Sequence, residues 1–156
     1  MNFIENAKEL MKHGKDEPFA GPPATPKQVE DFERALHIKF PASYREFLLN
    51  FGVLDFEGFE FYGITLEGVH AKAIPCVLFA TKNGVDKGQI SNKMIMVQES
   101  GYGPVYCIDL DMVGSKSEPM VVEVPLSYEE STEKKVVAES FADFLILRIK
   151  EAINKS

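Results

Sequence analysis

Apolar residues recur at helical spacing near the N-terminus. Residues 2–13 place Phe3, Ile4, Ala7, Leu10 and Met11 on one face, which predicts a short amphipathic helix. The next stretch, residues 14–26, is rich in Gly and Pro and predicts a loop. The first predicted helix is therefore separated from the rest of the chain by an irregular connection.

The loop ends in a strong helix-start signal. Thr25 is placed to be the N-cap, Pro26 occupies the first helical position, and Gln28 completes a capping box. The helix is expected to run to about His37. Its predicted inward residues are Val29, Phe32 and Leu36.

A third helix is predicted in the stretch "IKFPASYREFLLNFG", residues 38–52. Pro41 opens it, and an aromatic-rich face follows at i, i+3, i+4 and i+7, formed by Tyr44, Phe47, Leu48 and Phe51. Because the connection to the preceding helix is short, the two helices are expected to form an αα unit.

After Gly52 the period changes to two. Phe59 and Phe61 fall on one side of a predicted strand, and Glu60 and Tyr62 on the other, which predicts two short strands or a hairpin. We expect the phenylalanines to face the core. For Glu60 and Tyr62 an interaction surface and an ordinary solvated face are equally compatible with the pattern.

Residues 64–84 are ambiguous from sequence. Pro75 suits the start of a helix, whereas residues 76–80 suit a buried strand. We favour the helix, ending at Asn83 and Gly84 as a C-cap.

Three strands and a closing helix complete the pattern. Residues 93–99, 104–110 and 118–124 read as strands, with "SGYG" turning the chain between the first two, and residues 139–153 form an amphipathic helix. The inward residues of that helix are Phe141, Phe144, Leu145, Ile149 and Ala152. This order predicts a single α+β domain over residues 1–156, with a mainly antiparallel, partly mixed sheet and helices packed around it.

Composition adds constraints on location and cofactors. The 156 residues are 45% hydrophobic, and the two cysteines, Cys76 and Cys107, have no metal-ligand spacing, so buried reduced thiols are expected. The N-terminal residues do not resemble a signal peptide, and no stretch of about 18 apolar residues occurs. We therefore expect a cytoplasmic protein without a membrane segment, a metal or a cofactor.

Charge is unevenly distributed along the chain. The net charge is −7 with a pI near 5.0, which argues against direct nucleic-acid binding. Residues 46–71 hold five acidic and no basic residues, and residues 94–133 hold eight acidic residues and one lysine, Lys116. These segments form an acidic face for a basic partner if they lie together, or are scattered for solubility if they do not.

Motifs for catalysis are weak. "DLD" at 109–111 puts two carboxylates on one strand face without an evident third ligand, and "GYG" at 101–103 is more simply a turn than a phosphate loop. The three histidines are scattered, and the sequence has no Gly-x-Ser-x-Gly, His-Glu-x-x-His or P-loop motif. We therefore expect a protein without catalytic residues.

The third helix and its surroundings resemble the SUKH superfamily of Smi/Knr-type domains. The resemblance rests on Phe40 and Pro41, Tyr44, the pair Phe47 and Leu48, and the closing Phe51 and Gly52. Glycine-bounded strands, a helix, a hairpin, a strand and a last helix opening on Ser140 and Phe141 follow in the family's order, over about residues 25–149. Phe40 and Phe51 depart from the Leu and Asn that are frequent in the family.

Membership implies a binding protein rather than an enzyme. Bacterial members of the family are mostly immunity proteins, which bind and neutralise polymorphic toxins, commonly nucleases. Fungal members of the family regulate cell-wall synthesis and act as interaction hubs. The resemblance therefore implies a basic, nuclease-like toxin domain as the protein partner, and we expect the chain to be a monomer or a weak homodimer. A regulatory interaction module without a toxin is the alternative.

The acidic segments supply candidate partner-binding residues. Carboxylates would steer a basic cleft, and tyrosines would anchor it. The candidates are Asp55, Glu57, Glu60 and Tyr62 in the first segment, and Glu99, Tyr102, Asp109 and Asp111 in the second.

Overall fold

Residues 2–129 and 134–155 are described in a computed structural model. Within them the helices are α1 (Phe3–Met11), α2 (Pro26–Leu36), α3 (Ala42–Phe51), α4 (Val77–Asp86) and α5 (Phe141–Lys155). The strands are β1 (Phe19–Ala20), β2 (Leu54–Phe56), β3 (Phe59–Phe61), β4 (Met94–Glu99), β5 (Val105–Val113), β6 (Pro119–Val124) and β7 (Lys135–Ala138).

The strands form two antiparallel sheets. One has the order β1-β2-β3 and the other the order β4-β5-β6-β7. They meet where the Tyr62 N–H donates to the Val97 carbonyl at 2.8 Å, and one parallel bridge pairs Gly63 with Cys76. The predicted α+β class with antiparallel pairing is confirmed.

Helix α2 is capped at both of its ends, and a buried carboxylate fixes its connection to α3. The predicted capping box is present, with Thr25 and Gln28 bonded reciprocally. His37 is the C-cap that follows the last residue of α2, and it adopts the left-handed conformation. The buried Glu33 carboxylate then accepts a 2.8 Å hydrogen bond from the Phe40 N–H, which holds the chain as it turns into α3.

The aromatic face of α3 is the centre of the core. The Tyr44 ring lies 5.8 Å from the Phe47 ring and 4.9 Å from the Phe141 ring of α5. The Tyr44 hydroxyl donates to the Tyr62 carbonyl at 2.8 Å, so its polar end is satisfied inside the core. Burial of the predicted inward positions of α5 is also confirmed.

Helix α4 continues past the glycine that was predicted to end it. The expected C-cap at Asn83 and Gly84 is wrong, because the helix runs to Asp86. Gly84 serves packing instead: an added Cβ would lie 2.8 Å from Met96 Cε. The glycine lets α4 approach β4 closely.

Two short strands were not predicted. β1 has only two residues and lies inside the Gly- and Pro-rich stretch that was expected to be a loop, and β7 follows β6 after a long connection. β1 forms by pairing with β2, and β7 forms by pairing with β6. Because each strand depends on a partner strand, its own short stretch of sequence does not predict it. Of the acidic residues counted above, Glu130 and Glu133 lie outside the described residues.

Both cysteines are buried and free, as expected. No helix in the described part of the chain is long and apolar enough to cross a membrane.

Candidate functional site

A surface cleft lies where the β2–β3 hairpin, the β4–β5 turn and the end of α5 meet. Its volume is about 260 Å³. The lining residues come from segments far apart in sequence: Gly58, Phe59, Glu60, Tyr62, Ile74, Glu99, Ser100, Gly101, Arg148 and Lys155. Three of the eight predicted site residues are among them, namely Glu60, Tyr62 and Glu99.

A fourth predicted residue, Asp55, joins them through the hairpin register. Asp55 is the direct cross-strand partner of Glu60 in the β2–β3 ladder. Like charges placed opposite each other in an antiparallel pair repel. We refer to Asp55, Glu60 and Glu99 as the acidic cluster.

The acidic cluster perturbs the titration of Glu60. The pKa of Glu60 is raised from 4.5, first by partial burial and then by the neighbouring charges of Asp55 and Glu99. All the causes act in the same direction. The carboxylate is therefore held in an environment that disfavours its charged form.

Tyr62 is not on an exposed face. The alternation of β3 was expected to expose it beside Glu60, but the residue is 1% exposed. The chain leaves the β3 ladder after Phe61 and pairs with β4, which turns Tyr62 into the core. Burial, followed by the neighbouring charges of Glu99 and Glu60, raises the pKa of Tyr62 well above its ordinary value. Tyr62 therefore lines the buried part of the cleft together with Glu99.

Arg148 is a part of the cleft that sequence reasoning missed. Its guanidinium lies 4.1 Å from the centre of the Phe59 ring and 4.9 Å from that of Tyr106. It donates to the Gln98 side chain at 2.7 Å and to Glu151 at 3.0 Å. The sequence did contain one signal for it: Arg148 is the single charged residue on the otherwise apolar face of α5, and a buried charge needs partners.

Gln98 connects Arg148 to the acidic cluster. Its side-chain NH₂ donates to the Glu60 carbonyl at 3.3 Å while its oxygen accepts from Arg148. The backbone position of Glu60 is thus tied through a buried amide to a buried guanidinium. Lys155 is the second base of the cleft, with its ammonium 5.5 Å from the Phe59 ring.

Tyr102 lies in the β4–β5 turn, as predicted, and is 67% exposed. Its hydroxyl donates to the Glu123 carboxylate on β6, and that bond raises the pKa of Tyr102 above its ordinary value. Because the turn also supplies Ser100 and Gly101 to the cleft, Tyr102 stands at the cleft's edge.

The remaining predicted residues lie elsewhere. Asp109 is fully buried and bonded to Lys134, so its expected place on an exposed acidic surface is wrong. Asp111 is exposed, but it lies six residues after Val105 on β5, which is about 20 Å along the strand from the turn. Glu57 lies in the turn between β2 and β3, and its carboxylate accepts a 2.8 Å hydrogen bond from the Asp16 N–H.

Other carboxylates of the second acidic segment also hold the fold together. Glu118 accepts bonds from the Ser43 hydroxyl at 2.7 Å and from the Ser43 N–H at 3.3 Å, at the N-terminus of α3. Glu123 accepts from Tyr102. The acidity of the 94–133 segment is therefore partly structural, and Glu99 is its contribution to the cleft.

The lining of the cleft combines charged and aromatic side chains. In the described residues, no group of three or more His, Cys, Asp or Glu side chains is placed to hold a metal ion. A larger cleft of about 590 Å³ lies at the end of α2, but its buried carboxylate, Glu33, is already engaged by Phe40 and Arg45. The acidic cluster is the place where predicted residues, a cleft and perturbed electrostatics coincide.

Comparison with known proteins supports a family assignment. The family model SUKH_6, described as SMI1-KNR4 cell-wall, matches residues 26–145, from the first residue of α2 into α5. No curated protein is significantly similar to the chain.

Proposed function

Because the chain belongs to the SUKH family of SMI1-KNR4 domains, which are generally non-catalytic, we propose that it is an immunity protein. It acts in the cytoplasm by binding a basic toxin domain, of the kind found in nucleases. The binding surface is the cleft with the acidic cluster and the exposed Tyr102 at its edge.

The observation that carries this proposal is the unfavourable electrostatics of the acidic cluster. Asp55 faces Glu60 across the hairpin, and the pKa of Glu60 is raised by burial and by both neighbouring carboxylates. Charges that oppose folding are typical of functional sites, because binding supplies the compensation that the fold does not. A lysine or arginine of a partner would supply it here.

The proposed mechanism is occupation of a nucleic-acid cleft. A nuclease binds phosphate through basic residues, and a protein that presents carboxylates at that cleft competes with the substrate. Complementary charge also accelerates encounter, which matters when a toxin has to be neutralised before it acts. An exposed tyrosine supplies contact area at low entropic cost.

The test combines capture with rescue of growth. The immobilised protein would be exposed to a lysate of its source organism at low and high salt, and the bound proteins identified by mass spectrometry. A captured toxin domain would then be expressed with and without the protein. We expect salt-sensitive capture of a basic domain, and growth only when the two proteins are co-expressed.

The charge-reversal variant Glu60→Lys with Glu99→Lys tests the cleft itself. We expect it to lose at least about 100-fold in affinity for the captured domain, since two favourable charge contacts become repulsive. The matched control is Glu30→Lys with Glu46→Lys, which makes the same charge change at exposed positions on α2 and α3. A charge-reversed protein that folds and still protects cells would sink the acidic-cluster mechanism.

A regulatory interaction module is the second candidate. The specific observation in its favour is the description of the matching family, SMI1-KNR4 cell-wall. Capture of envelope-synthesis or signalling proteins, without any toxin, would favour this function over immunity.

A further inference from the structure

Three exposed apolar side chains lie in the cleft or beside the β4–β5 turn that borders it. Ile74 is 45% exposed, Tyr102 67% and Leu126 70%. Ile74 and Gly101 line the same cleft, and Tyr102 follows directly in the turn. On the other side of the turn, a Cβ added at Gly103 would lie 3.2 Å from Leu126 Cδ1. We call Ile74, Tyr102 and Leu126 the apolar ridge.

The turn of the apolar ridge is held in place before any partner binds. The Tyr102 hydroxyl donates to Glu123, and the Tyr102 N–H donates to the Ser100 hydroxyl at 3.2 Å. The Ser100 N–H in turn donates to the Pro104 carbonyl at 3.1 Å, which closes the turn. Anchors that are already ordered lose little conformational entropy on binding.

Charged groups around the apolar ridge specify its complement. Glu60 and Glu99 lie on the hairpin and β4 side, and Glu123 lies beneath Tyr102. The bases of the cleft, Arg148 and Lys155, are on the α5 wall, and Arg148 is already paired with Glu151 and stacked on two rings. The side of the cleft nearest the apolar ridge is therefore acidic.

We propose that the apolar ridge is the affinity-determining part of the binding surface, and that its partner is a protein presenting an apolar patch ringed by lysine and arginine. This inference rests on the proposed function, because it assigns a separate role to the apolar half of the same surface. The acidic cluster sets the association rate, and the apolar ridge sets the dissociation rate. Buried aromatic anchors dominate binding energy, whereas rim charges chiefly change encounter.

The test uses a phage-displayed library of random dodecapeptides, selected on the full chain. We expect enriched peptides to combine apolar residues with lysine or arginine. Their affinity should fall about 10- to 100-fold for Tyr102→Ala and about tenfold for Leu126→Ala, through faster dissociation. Tyr102→Phe keeps the ring and loses the bond to Glu123, so it should retain most of the affinity.

The control variant is Val113→Ala, which removes part of an equally exposed apolar side chain at the far end of β5. Some peptides could bind Tyr102→Ala normally but lose binding to the variant Glu60→Lys with Glu99→Lys. That result would overturn the proposal that the apolar ridge determines affinity, and would leave the proposed function standing. Enrichment of acidic peptides would overturn both. Failure to enrich any Tyr102-dependent peptide, or Tyr102-dependent dimerisation of the protein in sedimentation, would also overturn the apolar ridge.

Discussion

Glu60 is the residue at which the stability of the fold and the proposed binding role oppose each other most directly. Its cross-strand partner is Asp55, and the charge of Glu99 adds to the repulsion. Its backbone is nevertheless held by the Gln98 side chain, which is anchored by Arg148. The carboxylate is thus kept in an unfavourable place by a well-satisfied buried network.

The substitution Glu60→Gln should stabilise the protein in a pH-dependent way. The raised pKa means that the folded state holds the Glu60 proton more tightly than the unfolded state does. At low pH the Glu60 carboxyl is protonated in both the folded and the unfolded state, so it does not change the free energy of unfolding. As pH rises through the pKa of the unfolded state and then that of the folded state, the free energy of unfolding falls. Glutamine removes that loss, so we expect a gain of up to about 0.5 kcal/mol at pH 7, after discounting for exposure.

Urea unfolding at pH 7 and at about pH 3 measures the effect, because the gain should vanish where both states are protonated. Glu30→Gln on the exposed face of α2 is the control and should show no such gain. A Glu60→Gln variant with the same or lower stability at pH 7 would contradict the raised pKa.

At the scale of the elements, the end of α3 and the segment leaving β3 approach each other closely. The Ile64 N–H donates to the Gly52 carbonyl at 3.0 Å, and the Gly63 N–H donates to the Pro75 carbonyl at 2.9 Å. A Cβ added at Gly63 would lie 1.8 Å from the Gly52 oxygen. The two glycines therefore allow the hairpin to dock under α3 and to reach β4, which places Tyr62 and Glu99 together.

The substitution Gly63→Ala should destabilise the protein by about 3 kcal/mol or more, since backbone atoms must move to admit a methyl group. Chemical denaturation measures the loss. Gly58→Ala is the matched control: nothing lies within 4 Å of its added Cβ, so only its positive φ of 82° carries a cost, of about 1 kcal/mol. Equal losses in the two variants would show that the close approach is relaxed in solution.

Across the molecule, the acidic residues that the structure describes do not form one continuous face. Asp109 forms an ion pair with Lys134, and Glu118 accepts a hydrogen bond from Ser43. Asp111 lies on β5 at a distance from the cleft. The cleft also contains two bases from α5. Steering of the proposed basic partner would therefore depend on a local field, which the positive charges of Arg148 and Lys155 weaken.

The substitution Lys155→Glu should strengthen that field. We expect the association rate with the captured toxin domain to rise about three- to tenfold at low salt, and to fall more steeply as salt is added. Stopped-flow kinetics at several ionic strengths would measure both. Lys150→Glu, at an exposed position of the same helix outside the cleft lining, is the control. A slower association for Lys155→Glu would mean that the partner's charge is acidic.

Local patterns in the sequence predicted most of the elements and their inward faces, whereas β1, β7 and the buried position of Tyr62 were not predicted. The capping box at Thr25, the aromatic face of α3, the hairpins and the apolar face of α5 were all predicted, because each depends on neighbours within one or two turns. The family resemblance came from the same local patterns, and the match over residues 26–145 confirms it.

The side chains that form the cleft are brought together by contacts between residues far apart in sequence. Arg148 meets Gln98 across 50 residues of sequence, and Gln98 meets Glu60 across 38. The alternation that predicted an exposed Tyr62 failed where the chain leaves β3 to pair with β4, and the charge count that included Asp109 took no account of its ion pair with Lys134. Local periodicity fixes the face of a helix or strand, but the partner of that face depends on how the two sheets meet, which no short stretch of sequence encodes.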